Sequence, residues 1–149
     1  MIEYLPDKNI LDDAGIIVIP VNTVGVMGAG LAKQAKVRFP LVDQAYRSAL
    51  RLGCLEIGKV FPVYLPEKYL LLLPTKKHWR NPSELEYVKQ GLMSLTRFMK
   101  REPFKRIAIP KLGCGLGGLA WADVHEQIYY AAYILHQKGL DVAIYGERP

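Results

Sequence analysis

Cysteine is scarce in this chain, with two in 149 residues, Cys54 and Cys114. Their separation fits neither a metal-ligand pair nor a disulfide framework, so reduced thiols and a cytoplasmic setting are expected. No apolar run is long enough to span a membrane, and the opening MIEYLPDKN is not a signal peptide. Internal repeats and low-complexity linkers are lacking as well. Acidic residues are in deficit, 14 against 20 lysines and arginines, which leaves a net charge of +6. That balance is compatible with phosphate-bearing partners, nucleic acid included, and equally with a plain soluble basic surface. What is present is ordinary globular composition, half hydrophobic and 23% charged. At this length a single domain, residues 1–149, can bury a core of its own.

The most informative stretch is Val21–Gly30, VNTVGVMGAG. It follows the apolar run Ile16–Ile19, read as a buried strand, and leads into Leu31–Phe39, read as a short helix. Strand, glycine-rich turn and helix together make a phosphate cradle. Backbone N–H groups at a helix N-terminus face an anion, and glycine lets the anion approach. The spacing G-x-x-G-x-G, from Gly25, Gly28 and Gly30, is neither a Rossmann fingerprint nor a Walker loop. A tight turn would use the same glycines. A second glycine loop, Gly113–Gly118, GCGLGG, again lies between an apolar strand and a helix. Two such loops suggest a diphosphate clamped from both sides.

Taken in order, Met1–Leu5 reads as a short edge strand and Pro6–Asp13 as a polar, turn-rich segment. Ile16–Val21 is a strand whose Pro20 marks departure from the ladder. Helices follow over Leu31–Phe39, stopped by Pro40, and over Leu41–Leu52, ended by Gly53. Lys59–Tyr64 and Tyr69–Leu73 read as strands joined by Leu65–Lys68. The loop Pro74–Pro82 is dense in Thr75, Lys76, Lys77, His78, Trp79, Arg80 and Asn81. Ser83 and Glu86 match a capping box, so a helix is expected from Ser83 to about Lys100. Arg106–Ile109 is a strand, Ala122–Lys138 a helix closed by Gly139, and Asp141–Tyr145 the last strand. The pattern predicts a three-layer α/β/α domain with a mixed, largely parallel central sheet. Ligands of such sheets sit at the carboxyl ends of the strands, where both glycine loops and the Thr75–Arg80 loop emerge.

Three phrases, NTVGVMGAGLA at Asn22–Ala32, PTKKHW at Pro74–Trp79 and PKLGCGLGGLAW at Pro110–Trp121, carry a resemblance to a known family. Over essentially its whole length the chain resembles the macrodomains, ADP-ribose-binding and ADP-ribose-hydrolysing modules. Within them it looks most like the DarG type, antitoxins of DarT/DarG systems, which remove ADP-ribose from thymidine in DNA. The resemblance implies that Asn9 and Ile10 meet adenine, although many macrodomains have Asp at the Asn9 position. It implies that Asn22 hydrogen-bonds the distal ribose and that Thr23 belongs to the ADP-ribose site. Gly28, Ala29, Gly30 and Leu31 should hold one side of the diphosphate, and Gly113, Cys114, Gly115, Leu116 and Gly117 the other. Lys76 matches the family's catalytic lysine. Related terminal ADP-ribose glycohydrolases also use an Asp in the second glycine loop, where this chain has Gly117, so a paired Lys/Asp mechanism does not transfer whole.

Each of these residues also has a plainer reading. Lys76 in isolation is a solvated lysine, and Asn22 caps a turn. Lys77, His78, Trp79 and Arg80 are the candidates for DNA contact. Of these, His78 reads equally as a structural side chain or a general acid/base, and Trp79 as core or as a stacking platform. Trp121 reads as core, Cys114 as a small loop residue, and Tyr129, Tyr130 and Tyr133 as core or surface packing. The implied activity is hydrolysis of the N-glycosyl bond between ADP-ribose and thymidine in single-stranded DNA. It needs no metal and no cofactor, and it acts beside a DarT-type toxin. A lysine there either protonates the leaving base or attacks C1″ covalently. The competing functions are a non-catalytic ADP-ribose reader and a hydrolase of protein-linked ADP-ribose or O-acetyl-ADP-ribose. The sequence ends at Pro149 directly after its last strand, as a standalone domain would or one excised from a chain with a toxin-binding region.

Overall fold

The computed structural model describes all residues from Met1 to Pro149. Its elements are β1 (Ile2–Tyr4), a 3-10 turn (Ile10–Asp12), β2 (Ile16–Asn22), α1 (Gly30–Arg38), α2 (Leu41–Arg51) and β3 (Phe61–Tyr64). They continue with β4 (Tyr69–Lys76), α3 (Leu85–Arg101), β5 (Arg106–Pro110), α4 (Trp121–Gln137) and β6 (Asp141–Tyr145). Six strands form one sheet in the order β1-β6-β5-β2-β4-β3. All neighbours are parallel except the edge pair β3–β4. This is the expected three-layer domain with a mixed, largely parallel sheet.

The central strands are apolar without interruption because helices cover both faces of the sheet. The pleat then sorts neighbours. Ile16, Val18, Leu71, Leu73, Ile107 and Ile109 join the core under α3 and α4. Ile17, Ile19, Val21, Leu70, Leu72 and Ala108 join the core under α1 and α2. On the first face, a Cβ at Gly91 of α3 would lie 2.6 Å from the Leu73 side chain, so this helix sits on its strand at contact distance.

The position of the cleft follows from where the ladders stop. β2 pairs with β5 only at Ile16–Ile17, against Ile107 and Ala108. Beyond that point the two strands carry Pro20 and Pro110, which have no N–H to give, and their carboxyl ends part. The chain also changes direction here. β2 leads through α1, α2 and β3 to β4 on one side, and α3 then crosses back to β5 on the other. A parting of strands at a switch in strand order is where such sheets bind ligands.

Several boundaries differ from the sequence expectation. β3 begins at Phe61 rather than Lys59, and α1 and α4 each start one residue earlier than expected. β4 continues past Leu73 to Lys76, because β2 runs on to Asn22 and pairs with it. Pro74 is tolerated since β3 reaches only as far as Leu72, and a register shift between Val21 and Asn22 leaves Thr75 as the extra residue. The Ser83 capping box does not form. α3 starts at Leu85 with Glu84 at its N-cap, and no side chain caps it. Ser83 is drawn away from the helix end: its N–H donates to the Gly117 carbonyl at 3.0 Å, and its hydroxyl lies 3.4 Å from that of Thr75.

Candidate functional site

The first glycine loop is held from beneath. Asn22 is 6% exposed; its Nδ2 donates to the Val26 carbonyl at 2.8 Å, and its Oδ1 accepts from the N–H of Val24 at 3.1 Å. The fully buried Tyr46 of α2 places its hydroxyl 2.7 Å from both Asn22 oxygens, to one of which it donates, and accepts from the Gly25 N–H at 3.1 Å. Burial pushes the Tyr46 phenol up to about 12, against the pull of the backbone bonds from Gly25 and Val26. It therefore stays protonated and remains a donor at neutral pH.

The loop delivers the chain to α1, whose N-cap Ala29 offers no side-chain acceptor. The first intrahelical bond is from Lys33 to Ala29. The N–H groups of Gly30, Leu31 and Ala32 are therefore left for something outside the helix. Gly30 has φ +57, a left-handed conformation that suits glycine. An uncapped N-terminus with its positive end open is an anion site.

The second loop closes on itself. Leu119 donates to Gly113, Gly118 to Gly115 and Cys114 to Lys111. A Cβ at Gly117 would collide with the Ser83 hydroxyl and the Gly113 carbonyl. The acidic residue that related glycohydrolases use at this point has no room here while Ser83 occupies the space. Burial raises the Cys114 thiol, partly offset by Lys111, and its Sγ donates to the Leu112 carbonyl at 3.6 Å. A thiol held neutral in this way is a poor nucleophile.

Between the loops lies a cleft of about 310 Å³. Asn22, Gly28, Ala29, Gly30 and Leu31 line one wall, Gly113, Gly115, Leu116 and Gly117 the other, and Lys76 stands at the end of β4 beside Thr75 and Ser83. Lys76 is half-buried and its Nζ donates to the Trp79 carbonyl at 3.3 Å. No group of three or more His, Cys, Asp or Glu residues is placed to hold a metal ion. The model for the Macro domain matches residues 18–128, both glycine loops included. The chain belongs to the macrodomain family.

The macrodomain of Mycobacterium tuberculosis DarG is 38% identical, with a TM-score of 0.91 over 99% of each chain. Thermosipho africanus DarTG, solved in complex with ADP-ribose, is 36% identical with a TM-score of 0.81, over 87% of this chain and 37% of that one. The DNA ADP-ribosyl glycohydrolase of Thermus aquaticus is 43% identical over 134 residues, 87% of this chain and 36% of that protein. The chain thus spans little more than a third of the length of the curated relatives it matches.

Not every residue singled out in the sequence lines this macrodomain's cleft. Ile10 is buried in the core. The Asn9 side chain accepts from the Leu11 N–H, and Asn9 lies in a separate shallow depression with Lys33 and Arg38. Thr23 faces the lysine segment, its N–H and hydroxyl both donating to the Lys77 carbonyl, at 3.2 and 2.9 Å. Cys114 is half-buried and packs against the core under α3 and α4.

Trp79 is 46% exposed and so is not core. Its ring lies 4.6 Å from the Arg80 guanidinium and 5.2 Å from the His78 ring. Lys77 is exposed, with its ammonium 5.8 Å from the Tyr87 ring. Tyr129, Tyr130 and Tyr133 are on the surface. Trp121 is only partly buried and donates to the Glu147 carbonyl at 2.9 Å.

Among the wall residues that the sequence reading passed over, two carry polar side chains. Lys111 follows β5, lines the cleft and pairs with Glu147 at 2.9 Å. Ser83 was assigned to a helix cap and lies in the cleft wall instead. The only signal for Lys111 was its place between Pro110 and the second glycine loop.

No helix is long and apolar enough to cross a membrane.

Proposed function

We propose that this macrodomain releases ADP-ribose from thymidine in single-stranded DNA, and that it does so in the cytoplasm opposite a DarT-type ADP-ribosyltransferase. One observation carries the reading: the uncapped N-terminus of α1, the second glycine loop and Lys76 line one cleft. The diphosphate sits between Gly28–Leu31 and Gly113–Gly117 and fixes the sugar, so that orientation supplies much of the acceleration. The remaining hydrogen of the Asn22 amide turns to the distal ribose.

In the reaction the bond from C1″ to the thymine ring nitrogen breaks and its electron pair leaves with the base. C1″ gains oxocarbenium character. Water adds there and releases a proton to solvent, while the Lys76 ammonium gives a proton to the departing base. The scheme uses side chains and water alone. Trp79, flanked by Arg80 and His78, offers an exposed aromatic and cationic surface beside Lys76, suited to a base and its phosphates. Lys77 adds a further positive charge. The names of the relatives, DNA ADP-ribosyl glycohydrolase and DarG, support the same substrate.

The test is release of ADP-ribose from modified single-stranded DNA and from modified protein, run side by side. Release from DNA should dominate and weaken with salt as phosphate contacts are screened. Combined Trp79→Ala and Arg80→Ala should slow the DNA reaction several-fold and flatten its salt dependence. Binding of ADP-ribose without release from either substrate would leave a reader rather than an enzyme. Faster release from protein would move the substrate class.

A further inference from the structure

The lysine segment is strung between the two glycine loops. At its near end the Lys77 carbonyl accepts two hydrogen bonds from Thr23, one from the backbone N–H at 3.2 Å and one from the hydroxyl at 2.9 Å. At its far end the Ser83 N–H donates to Gly117 of the second loop at 3.0 Å. Between these ties the segment is held by little else. Asn81 donates to the His78 carbonyl at 3.0 Å, Arg80 to the His78 ring at 3.1 Å, and Lys76 itself to Trp79 at 3.3 Å. The β2–β4 ladder shifts register between Val21 and Asn22 and ends at the pair Asn22–Lys76. Thr23 thus supplies the last fixed point after the ladder gives out, one peptide beyond Lys76, its hydroxyl reinforcing the bond from its own backbone N–H. That hydroxyl is spent on the Lys77 carbonyl, and Thr23 is not among the residues that line the cleft.

We infer that Thr23 is a positioning residue for Lys76: its hydroxyl clamps the Lys77 carbonyl and so sets where the Lys76 amine stands relative to the sugar. The assignment of chemistry to Lys76 rests on the function proposed above; the clamp itself does not. A lysine whose backbone can shift by an ångström is still present but misplaced, which lowers turnover more than binding. The ADP-ribose site keeps Asn22 and both loops, so affinity for the free ligand should be preserved.

Thr23→Val keeps the shape and the backbone bond and removes only the hydroxyl. It should lower single-turnover release from modified DNA about three- to ten-fold, the worth of one hydrogen bond. Calorimetric affinity for ADP-ribose should stay within about two-fold, and Thr23→Ser should restore most of the rate. Because the effect runs through the lysine, Thr23→Val in a Lys76→Ala background should cost nothing further.

Hydrogen exchange at the Arg80 and Asn81 amides should rise in Thr23→Val and return in Thr23→Ser. This readout needs no turnover. If the wild-type chain released nothing from DNA, the functional reading would fall, and exchange would still decide the clamp. A Thr23→Val protein with wild-type exchange and wild-type release overturns the inference. So does one that loses ADP-ribose affinity as steeply as rate, which would make Thr23 a ligand contact.

Discussion

The two glycine loops face each other across one cleft and are built in opposite ways. The first, around Gly25–Gly30, is supported by side chains: Asn22 and Tyr46 bind its backbone from inside, and it ends in the open N-terminus of α1. The second, Gly113–Gly118, is supported by its own backbone and by the close approach of Ser83. In the first, glycine permits a left-handed turn into a helix. At Gly117 in the second, glycine is required because a neighbour fills the space a side chain would take. Similar sequence signatures therefore answer to different physical demands, and substitutions should separate them.

The largest effect is expected at Gly115, where a side chain would meet no protein atom within 4 Å and would project into open space at the cleft wall. Gly115→Leu should fold normally and abolish ADP-ribose binding in calorimetry. Wild-type affinity would remove the second loop from the phosphate site.

Next comes Lys76→Ala, which asks whether the loops bind while a third segment reacts. Single-turnover release from modified DNA should fall about 10²–10⁴-fold with ADP-ribose affinity nearly intact. Near-normal release would refute the role, and a dead Lys77→Ala would move it along the chain by a residue.

Gly117→Ala should behave unlike Gly115→Leu by damaging the fold itself. The collision with Ser83 and the Gly113 carbonyl should cost about 1–3 kcal/mol in denaturant unfolding. An unchanged midpoint would mean that Ser83 yields easily, and would reopen the site to an acidic residue.

The smallest effect is expected in the support of the first loop. Tyr46→Phe strips a hydrogen bond from both Gly25 and Asn22. It should cost about 1–2 kcal/mol of stability and weaken ADP-ribose binding through the loop rather than through any direct contact. Affinity preserved at lowered stability would show that the loop keeps its shape without the phenol.

The sequence by itself determined the layers and the loops. Unbroken apolar runs require a sheet covered on both faces, and glycines after strands require turns at the carboxyl ends, so the cleft and most of its walls were legible from residue type and order. Those signals are local, carried by periodicity and by backbone sterics. Only the tertiary structure decided which polar groups meet across distance. Ser83 matched a local helix cap and was claimed instead by the Gly117 carbonyl, 34 residues along the chain. Thr23 matched a ligand-binding stretch, and its hydroxyl went to the Lys77 carbonyl. Lys111 lay in the second loop's phrase with no role of its own and became a wall of the cleft because β5 parts from β2 beside it. A hydroxyl or an ammonium can satisfy its hydrogen bonds with many partners, and the one it takes is set by which backbone group the packed sheet brings within about 3 Å.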